Sequence, residues 1–334
     1  MRKNQKTTLV VTIFTALLFI FFVAGSALSA EFKLRANTIG NEHSIHAVGL
    51  RKLKELVEKR SGGRIEIKIY YSGALGDQRA GIESMQSGTI DIATVDTPIT
   101  TVDKVFGVFG LPFIFRDRNH VDQVMNGPIG DWTAERLRKN KLEVLAFMEG
   151  GFRQITNNKR PIYTPDDLKG IKMRTPSSQL RIRIFNTYGA NSAALPYPEL
   201  YSALQMGVFD AQENPAVEVK SNKFYEVQKY LSFTNHVYSV SYLLMGESSF
   251  KKLPWDLQIL MKQAGYETVA ATVEAGKAVD EEIVELAESK GMKVNKADTE
   301  AFIKASKPIW DSVGKEMGEE AIKLIHLVST AGTR

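Results

Sequence analysis

The chain of 334 residues contains no cysteine. That excludes a disulfide framework, a thiol nucleophile, thiolate metal ligands and a lipid-modified N-terminal cysteine. Histidine is scarce, with five in all. His43 and His46 have the spacing of one helical face, yet no third ligand stands near them, so no metal site is expected. There is no phosphate-cradling glycine loop, no G-x-S-x-G elbow and no HExxH helix, which leaves the common nucleotide and hydrolase chemistries without their motifs. No basic stripe is interleaved with aromatics, which argues against a nucleic-acid partner. No cofactor is expected. Apolar runs of membrane-spanning length are absent after the first thirty residues or so.

Those first residues have the pattern of a secretory leader. Arg2, Lys3 and Lys6 form a charged start, an uncharged apolar run reaches Val23, and Ala27-Leu28-Ser29-Ala30 supplies small residues for cleavage. Removing the leader takes away three positive charges and no negative ones, which reduces the formal +5 to +2. Much of the basic character therefore belongs to the leader, and the mature chain is expected in the periplasm. Its 43% hydrophobic content is that of a globular protein, long enough for two lobes with a cleft between them.

From residue 32 the periodicity reads as α/β. A strand over Phe32 to Asn37, a helix from about His46 and a strand with alternating Ile65, Ile67 and Ile69 make a β-α-β unit. A second helix runs to Ser87, and Ile90 to Val95 is a near-continuous apolar strand of the kind covered on both faces. Phe106 to Phe115 is aromatic-rich and reads as core. Leu142 to Phe147 and Phe152 to Thr156 read as two strands, with the hinge between lobes near them. Gln86-x-Gly88-x-x-Asp91 and Gln205-x-Gly207-x-x-Asp210 share a pattern in which glycine closes a helix and a strand follows. The two strands that follow end at Asp96 and Asn214, so each lobe presents a polar side chain across the cleft. Pro254 opens a helical pattern that reaches Lys290; unbroken, it extends about 55 Å and lies across both lobes. Gly265 and Gly276 are candidate breaks.

The stretch Pro165 to Pro176, PDDLKGIKMRTP, sets Arg174 at the carboxyl end of a short predicted strand, where ligands of open α/β domains sit. A guanidinium there offers a planar fork that matches a carboxylate bidentately. Arg153, Asn214, His236, Asn37 and Asp96 complete a set of donors and acceptors. Such a set suits an anionic organic ligand that carries hydroxyls.

The segments GALGDQRAGIESMQSGTIDIA, LPFIF, FRQITNNKRPIYTPDDLKGIKMRTP and ALPYPELYSALQMGVFDAQENPA resemble those of the solute-binding proteins of tripartite ATP-independent periplasmic (TRAP) transporters, the DctP-type family. The resemblance covers almost the whole mature chain. It implies a two-lobed periplasmic binding protein, type II-like (Venus-flytrap), with a long helix spanning both lobes. It places the family's carboxylate-clamping arginine on Arg174, its second arginine on Arg153 and its asparagine on Asn214. Pocket positions of the sialic-acid-binding members fall on Asn37, Gln78, Asp96, Ser177, Tyr197 and His236. Gln78, Asp96 and Ser177 depart from the residues of those members, which argues against sialic acid itself.

The expected organisation is a signal peptide over 1–30, mainly lobe I over 31–152, mainly lobe II over 153–245, and a helical segment over 246–334 that spans and closes both. The expected function is a receptor that binds a small organic acid and delivers it unchanged to the small and large membrane subunits of a TRAP permease, as a monomer. An acid at Asp96 would repel a second carboxylate, which favours a uronate or aldonate unless His236 or Arg79 neutralises it. The alternatives are a C4-dicarboxylate or hydroxy-acid receptor of the same family, a periplasmic lyase or isomerase of such acids, and a binding protein that reports to a membrane sensor.

Overall fold

The computed structural model describes residues 30–332. The expected leader therefore lies, but for Ala30, outside the described residues. Among these, no helix is long and apolar enough to cross a membrane. Strands β1 (Phe32–Asn37) and β2 (Ile65–Tyr70) pair in parallel, with helix α1 (Ile45–Arg60) between them in the chain. Ile65 and Ile67 are buried while Glu66 and Lys68 face solvent, as their alternation requires. The Ser44 side chain caps α1 by accepting from the Ala47 N–H. Helix α2 (Gln78–Ser87) is capped by Asp77 and stopped by Gly88 in the left-handed region, and β3 (Ile92–Val95) follows, buried throughout. Two 3-10 segments follow, the second of which carries Phe106 and Phe109; with Phe115 these lie in the largest core cluster, as expected of that aromatic run. Helices α3 (Arg118–Met125) and α4 (Pro128–Lys139) lead into β4 (Leu142–Asn157).

The second half contributes β5 (Lys172–Thr175), α5 (Gln179–Thr187), β6 (Asn191–Ala194), α6 (Leu200–Gln205), β7 (Ala211–Pro215), α7 (Ala216–Ser221) and β8 (Tyr230–Phe233). It continues through β9 (Tyr238–Gly246), α8 (Glu247–Lys252), α9 (Trp255–Ser289), β10 (Lys293–Lys296), α10 (Thr299–Met317) and α11 (Glu319–Thr330). One sheet has the order β2-β1-β3-β9-β4; the other has β4-β7-β5-β6, with β8 beside β4 and β10 beside β8. Strand β4 belongs to both sheets and is the backbone that joins them.

Three features differ from what the sequence alone displays. The two strands anticipated on either side of residues 148–151 are a single 16-residue strand. Its register against β9 shifts between Glu149 and Gly151, where Gly151 has φ 101°. Glycine and glutamate weaken the sequence signal for a strand, but here they form a bulge. The Glu149 carboxylate is satisfied by Arg118 and by the Tyr238 hydroxyl. Second, β9 lies between β3 and β4 in the first sheet, so the chain returns there before residue 246. Third, β10 has no counterpart in the sequence reading, because KVNK is too short and polar to give a strand signal.

The Gln-x-Gly-x-x-Asp repeat is a structural repeat. Gly88 and Gly207 both have positive φ. Asp91 accepts from the Arg35 N–H at 2.7 Å and its own N–H donates to the Arg35 carbonyl; Asp210 makes the same pair of bonds with Lys172, at 3.1 and 2.9 Å. Each aspartate thereby fixes the entry of its strand beside a parallel neighbour, which sets where Asp96 and Asn214 emerge.

Helix α9 runs unbroken for 35 residues, about 52 Å at the α-helical rise. Leu257, Leu260, Met261 and Ala264 pack in a core cluster with α1, β1 and β2, while Val279, Ile283 and Ala287 pack in another with α6, α7 and β8. The candidate breaks are close contacts instead. A Cβ on Gly265 would stand 2.6 Å from the Leu145 carbonyl oxygen, and one on Gly276 would stand 3.0 Å from Glu149 Cγ. In a free helix Gly265→Ala would stabilise by about 1 kcal/mol. Here the backbone clash reverses the sign, and urea denaturation should show a loss of about 1–3 kcal/mol.

Candidate functional site

Four strands end at one cleft. Ile39 follows β1, Asp96 follows β3, Arg174 lies in β5 and Asn214 in β7. The cleft, with a volume of about 60 Å³, is lined by His46, Gln78, Asp96, Arg153, Arg174, Ser177, Tyr197, Asn214 and Glu218 among others. Polar side chains converging on one cleft suit a small organic molecule.

Arg174 is 2% exposed. Its Nε and Nη2 both donate to the Leu195 carbonyl, at 3.0 and 2.7 Å, which holds the guanidinium plane from one side. Tyr197 stacks near it, 5.8 Å from ring centre to guanidinium carbon. No carboxylate among the described residues pairs with it. The Nη1 and remaining Nη2 hydrogens form the end-on fork that a carboxylate matches. Burial lowers its pKa to about 10, so it is charged at neutral pH.

Arg153 is engaged differently. Its Nε and Nη2 grip the Glu213 carboxylate, Nη2 also donates to Asn214 Oδ1 at 2.9 Å, and Nη1 donates to Ser239 Oγ at 2.9 Å. Asn214 in turn donates to Gln212 Oε1 at 2.6 Å, so both ends of its amide are fixed. Glu213 also meets His236 Nε2 at 3.2 Å and Arg181 Nε at 3.7 Å. Burial alone would raise its pKa, but Arg153, Arg181 and His236 outweigh burial and hold it well below the usual carboxylate range.

On the opposite wall Asp96 is held by two partners. His46 Nε2 lies 3.0 Å from Oδ2, and Gln78 Nε2 donates to Oδ2 at 3.0 Å while its Oε1 accepts from the Asp96 N–H. Burial would lower the His46 pKa, but Asp96 overcomes it and raises the value to about 9. Asp96 is lowered, since His46 outweighs the burial that would raise it. The cleft therefore presents an ion pair here and not the bare acid expected from sequence; His46 neutralises it, neither His236 nor Arg79. Tyr197 donates to Glu218 Oε2 at 2.5 Å, and burial, then Glu218, keep its phenol protonated. Glu218 Oε1 is buried without a hydrogen-bond partner.

The cleft thus brings together Arg174, Arg153, Asn214, Asp96, Tyr197, Gln78 and Ser177. Two sequence candidates stand outside it. His236 is fully buried behind Glu213, with its ring against Phe185 and Nδ1 against Thr234 Oγ1. Asn37 donates to the Gly76 carbonyl at 3.1 Å and accepts from the Leu75 N–H, so it shapes the turn before α2. His46, Glu213, Glu218 and Arg181 were missed. The one signal for Glu213 is a charge inside a strand buried at all five positions. Among the described residues no group of three or more His, Cys, Asp or Glu side chains is arranged to hold a metal.

Residues 36–316 match the profile of the bacterial extracellular solute-binding proteins, family 7 (DctP), and the chain belongs to that family. Its relatives include the 2,3-diketo-L-gulonate-binding periplasmic protein YiaO of Escherichia coli (strain K12), 34% identical over 72% of this chain and 75% of that one. The crystal structure of a TRAP periplasmic solute-binding protein from Polaromonas sp. JS666 bound to D-erythronate is 32% identical, with a TM-score of 0.87, over 91% of this chain and 100% of that one. A TRAP periplasmic solute-binding protein from Sulfurospirillum deleyianum DSM 6946 with bound succinate is 29% identical, with a TM-score of 0.84, over 90% and 99%. The resemblance drawn from the sequence and the two-lobed α/β fold it implied are borne out. These are periplasmic receptors that work with TRAP membrane subunits, not enzymes, which sets aside the lyase and isomerase alternative.

The His46–Asp96 pair has a pH signature. Histidine in the unfolded chain titrates near ~6.5. Because the folded value is higher, about 9, the pair's stabilisation is complete below ~6.5 and is lost as pH rises through ~9. Asp96, lowered on folding, adds stability that is lost as pH falls below the ordinary carboxylate range. Urea denaturation from pH 6 to 10 should show a decline on the order of 2–4 kcal/mol in the native chain and a clearly smaller one in His46→Gln.

Proposed function

We propose that this chain is the receptor of a TRAP permease that captures a hydroxylated monocarboxylate, an aldonate or a uronate, between its two lobes. The observation that carries the reading is Arg174, a buried guanidinium in a lobe-spanning cleft that pairs with no carboxylate of the chain. Its end-on fork takes the ligand carboxylate in two parallel hydrogen bonds. Arg153, with one Nη1 hydrogen not used by Glu213, Asn214 or Ser239, adds positive charge, and the free Asn214 Nδ2 hydrogen orients the same group.

The hydroxyl preference rests on acceptors. Glu218 lines the cleft and its Oε1 is buried with no partner, so a ligand hydroxyl that donates to it relieves an unsatisfied oxygen. Gln78, Asp96, Ser177 and Tyr197 supply further polar contacts on the outer wall. The D-erythronate and 2,3-diketo-L-gulonate of the relatives belong to the same chemical class. A dicarboxylate is the second reading: His46 neutralises Asp96, which removes the repulsion that would otherwise exclude a second acid, and one relative holds succinate.

The lobes divide about β4 near Glu149–Arg153, the β8–β9 connection and helix α9, and capture is their closure around the acid. The receptor acts as a monomer and hands its cargo to the small and large membrane subunits without chemical change.

Calorimetry against a panel of sugar acids and dicarboxylates tests this. Arg174→Ala should cost about 2–5 kcal/mol of binding to the cognate acid, and Arg174→Lys should recover only part of it, since an ammonium lacks the planar fork. An unchanged dissociation constant in Arg174→Ala rules out the clamp. Glu218→Ala should weaken a hydroxylated acid by about 1–2 kcal/mol and leave its deoxy counterpart nearly unaffected. Equal losses for both ligands contradict the hydroxyl reading.

A further inference from the structure

A third buried arginine touches the site described above only through Glu213. Arg181, in the first turns of α5, is 3% exposed, and its guanidinium makes no hydrogen bond among the described residues; Nε and Nη1 are both buried and unpartnered. The nearest acid, Glu213, lies 3.7 Å from Nε and already holds Arg153 and His236. A buried cation that is paired so weakly costs several kcal/mol unless its hydrogens find acceptors.

Arg181 lines a small chamber of about 30 Å³ whose walls come from both halves of the molecule. Thr97, Thr100 and Phe109 belong to the first half, Ser178 to the N-cap of α5, Leu180 to α5 itself, and Tyr238 and Tyr242 to β9. Around Arg181 stand the hydroxyls of Thr97, Thr100, Ser178 and Ser239, aromatic and aliphatic walls, and the Asp96 side chain, whose carboxylate is neutralised by His46. Asp96, Thr97 and Ser239 line both this chamber and the cleft that contains Arg174, so the two spaces adjoin. Burial lowers the Arg181 pKa only to about 10, which leaves it cationic.

We propose that the chamber is a second anion-binding subsite, in which Arg181 donates to a negatively charged group. That group has two sources. It is either a small free anion such as a halide, or the far carboxylate of an elongated diacid whose near carboxylate sits on Arg174. The second source rests on the proposed function of the Arg174 cleft; the first does not. Because the chamber walls come from both halves, an anion held there favours their approach.

The test has two arms. In the first, crystals of the native protein grown in sodium bromide are examined for anomalous density, and melting temperature is followed as bromide is titrated at constant ionic strength. A bromide peak against Arg181, with a rise in melting temperature that Arg181→Gln abolishes, supports the subsite with a free anion as occupant. In the second, calorimetry compares D-galactarate with D-galactonate, which differ only in whether C6 is a carboxylate or an alcohol. An affinity for galactarate at least about tenfold higher, reduced to near parity in Arg181→Gln, supports the subsite with the cargo as occupant.

If Arg181→Gln does not fold, the native protein's bromide density and its galactarate to galactonate ratio decide alone. No bromide at Arg181 together with no galactarate preference overturns the proposal. Galactonate that binds Arg174→Ala as tightly as the native protein defeats the clamp reading instead, and the bromide arm still stands by itself.

Discussion

The site depends on one buried carboxylate. Glu213 sits in a strand with no exposed residue and is ringed by Arg153, Arg181 and His236. An isolated carboxylate at that depth would be neutral or would unfold the strand. Surrounded as it is, it stays ionised and draws Arg153 into a fixed pose. By occupying Arg153, it leaves Arg174 as the cleft-lining guanidinium with an open fork. The acid of the protein and the acid of the ligand are thus assigned to different arginines, and the cleft does not close on its own charges.

This division is built by topology. β5 and β7 are parallel neighbours, so Arg174 and the Glu213–Asn214 pair emerge at the same end of the second sheet. β4 runs antiparallel to β7 and brings Arg153 opposite Pro215 from a strand that began in the first sheet. The backbone that joins the sheets therefore carries a side chain of the site. The Glu149–Gly151 bulge lies immediately before it, where Arg118 ties Glu149 to Asp280 of helix α9. A change in the angle between sheets would move Arg153 and the Glu213 network together.

The elements legible in the sequence were those with a strong period or clear punctuation. β1, α1, β2 and α9 follow from spacing and caps, and the position of Arg174 follows from a glycine stop and a short apolar strand. The paired aspartates Asp91 and Asp210 were visible as a repeat, although their bonds to the neighbouring strand were not. What could not be read is pairing at long range. Glu213 and Arg153 are 60 residues apart and His46 and Asp96 are 50 apart, and no local pattern marks either pair. His236 and Asn37 fall at plausible positions by resemblance, yet their side chains serve Glu213 and the turn before α2. The glycines of α9 read as breaks because propensity is local, whereas their reason is the close approach of β4.

The charge that Arg174 faces when the receptor is full decides how the cargo is held. A crystal structure of the native protein with a bound aldonate or uronate measures this directly. The expected result is a ligand carboxylate bidentate on Nη1 and Nη2 of Arg174, with Arg153 still on Glu213 and a ligand hydroxyl on Glu218. A complex in which Arg174 pairs with Glu213 or Glu218 and the acid lies elsewhere would contradict it.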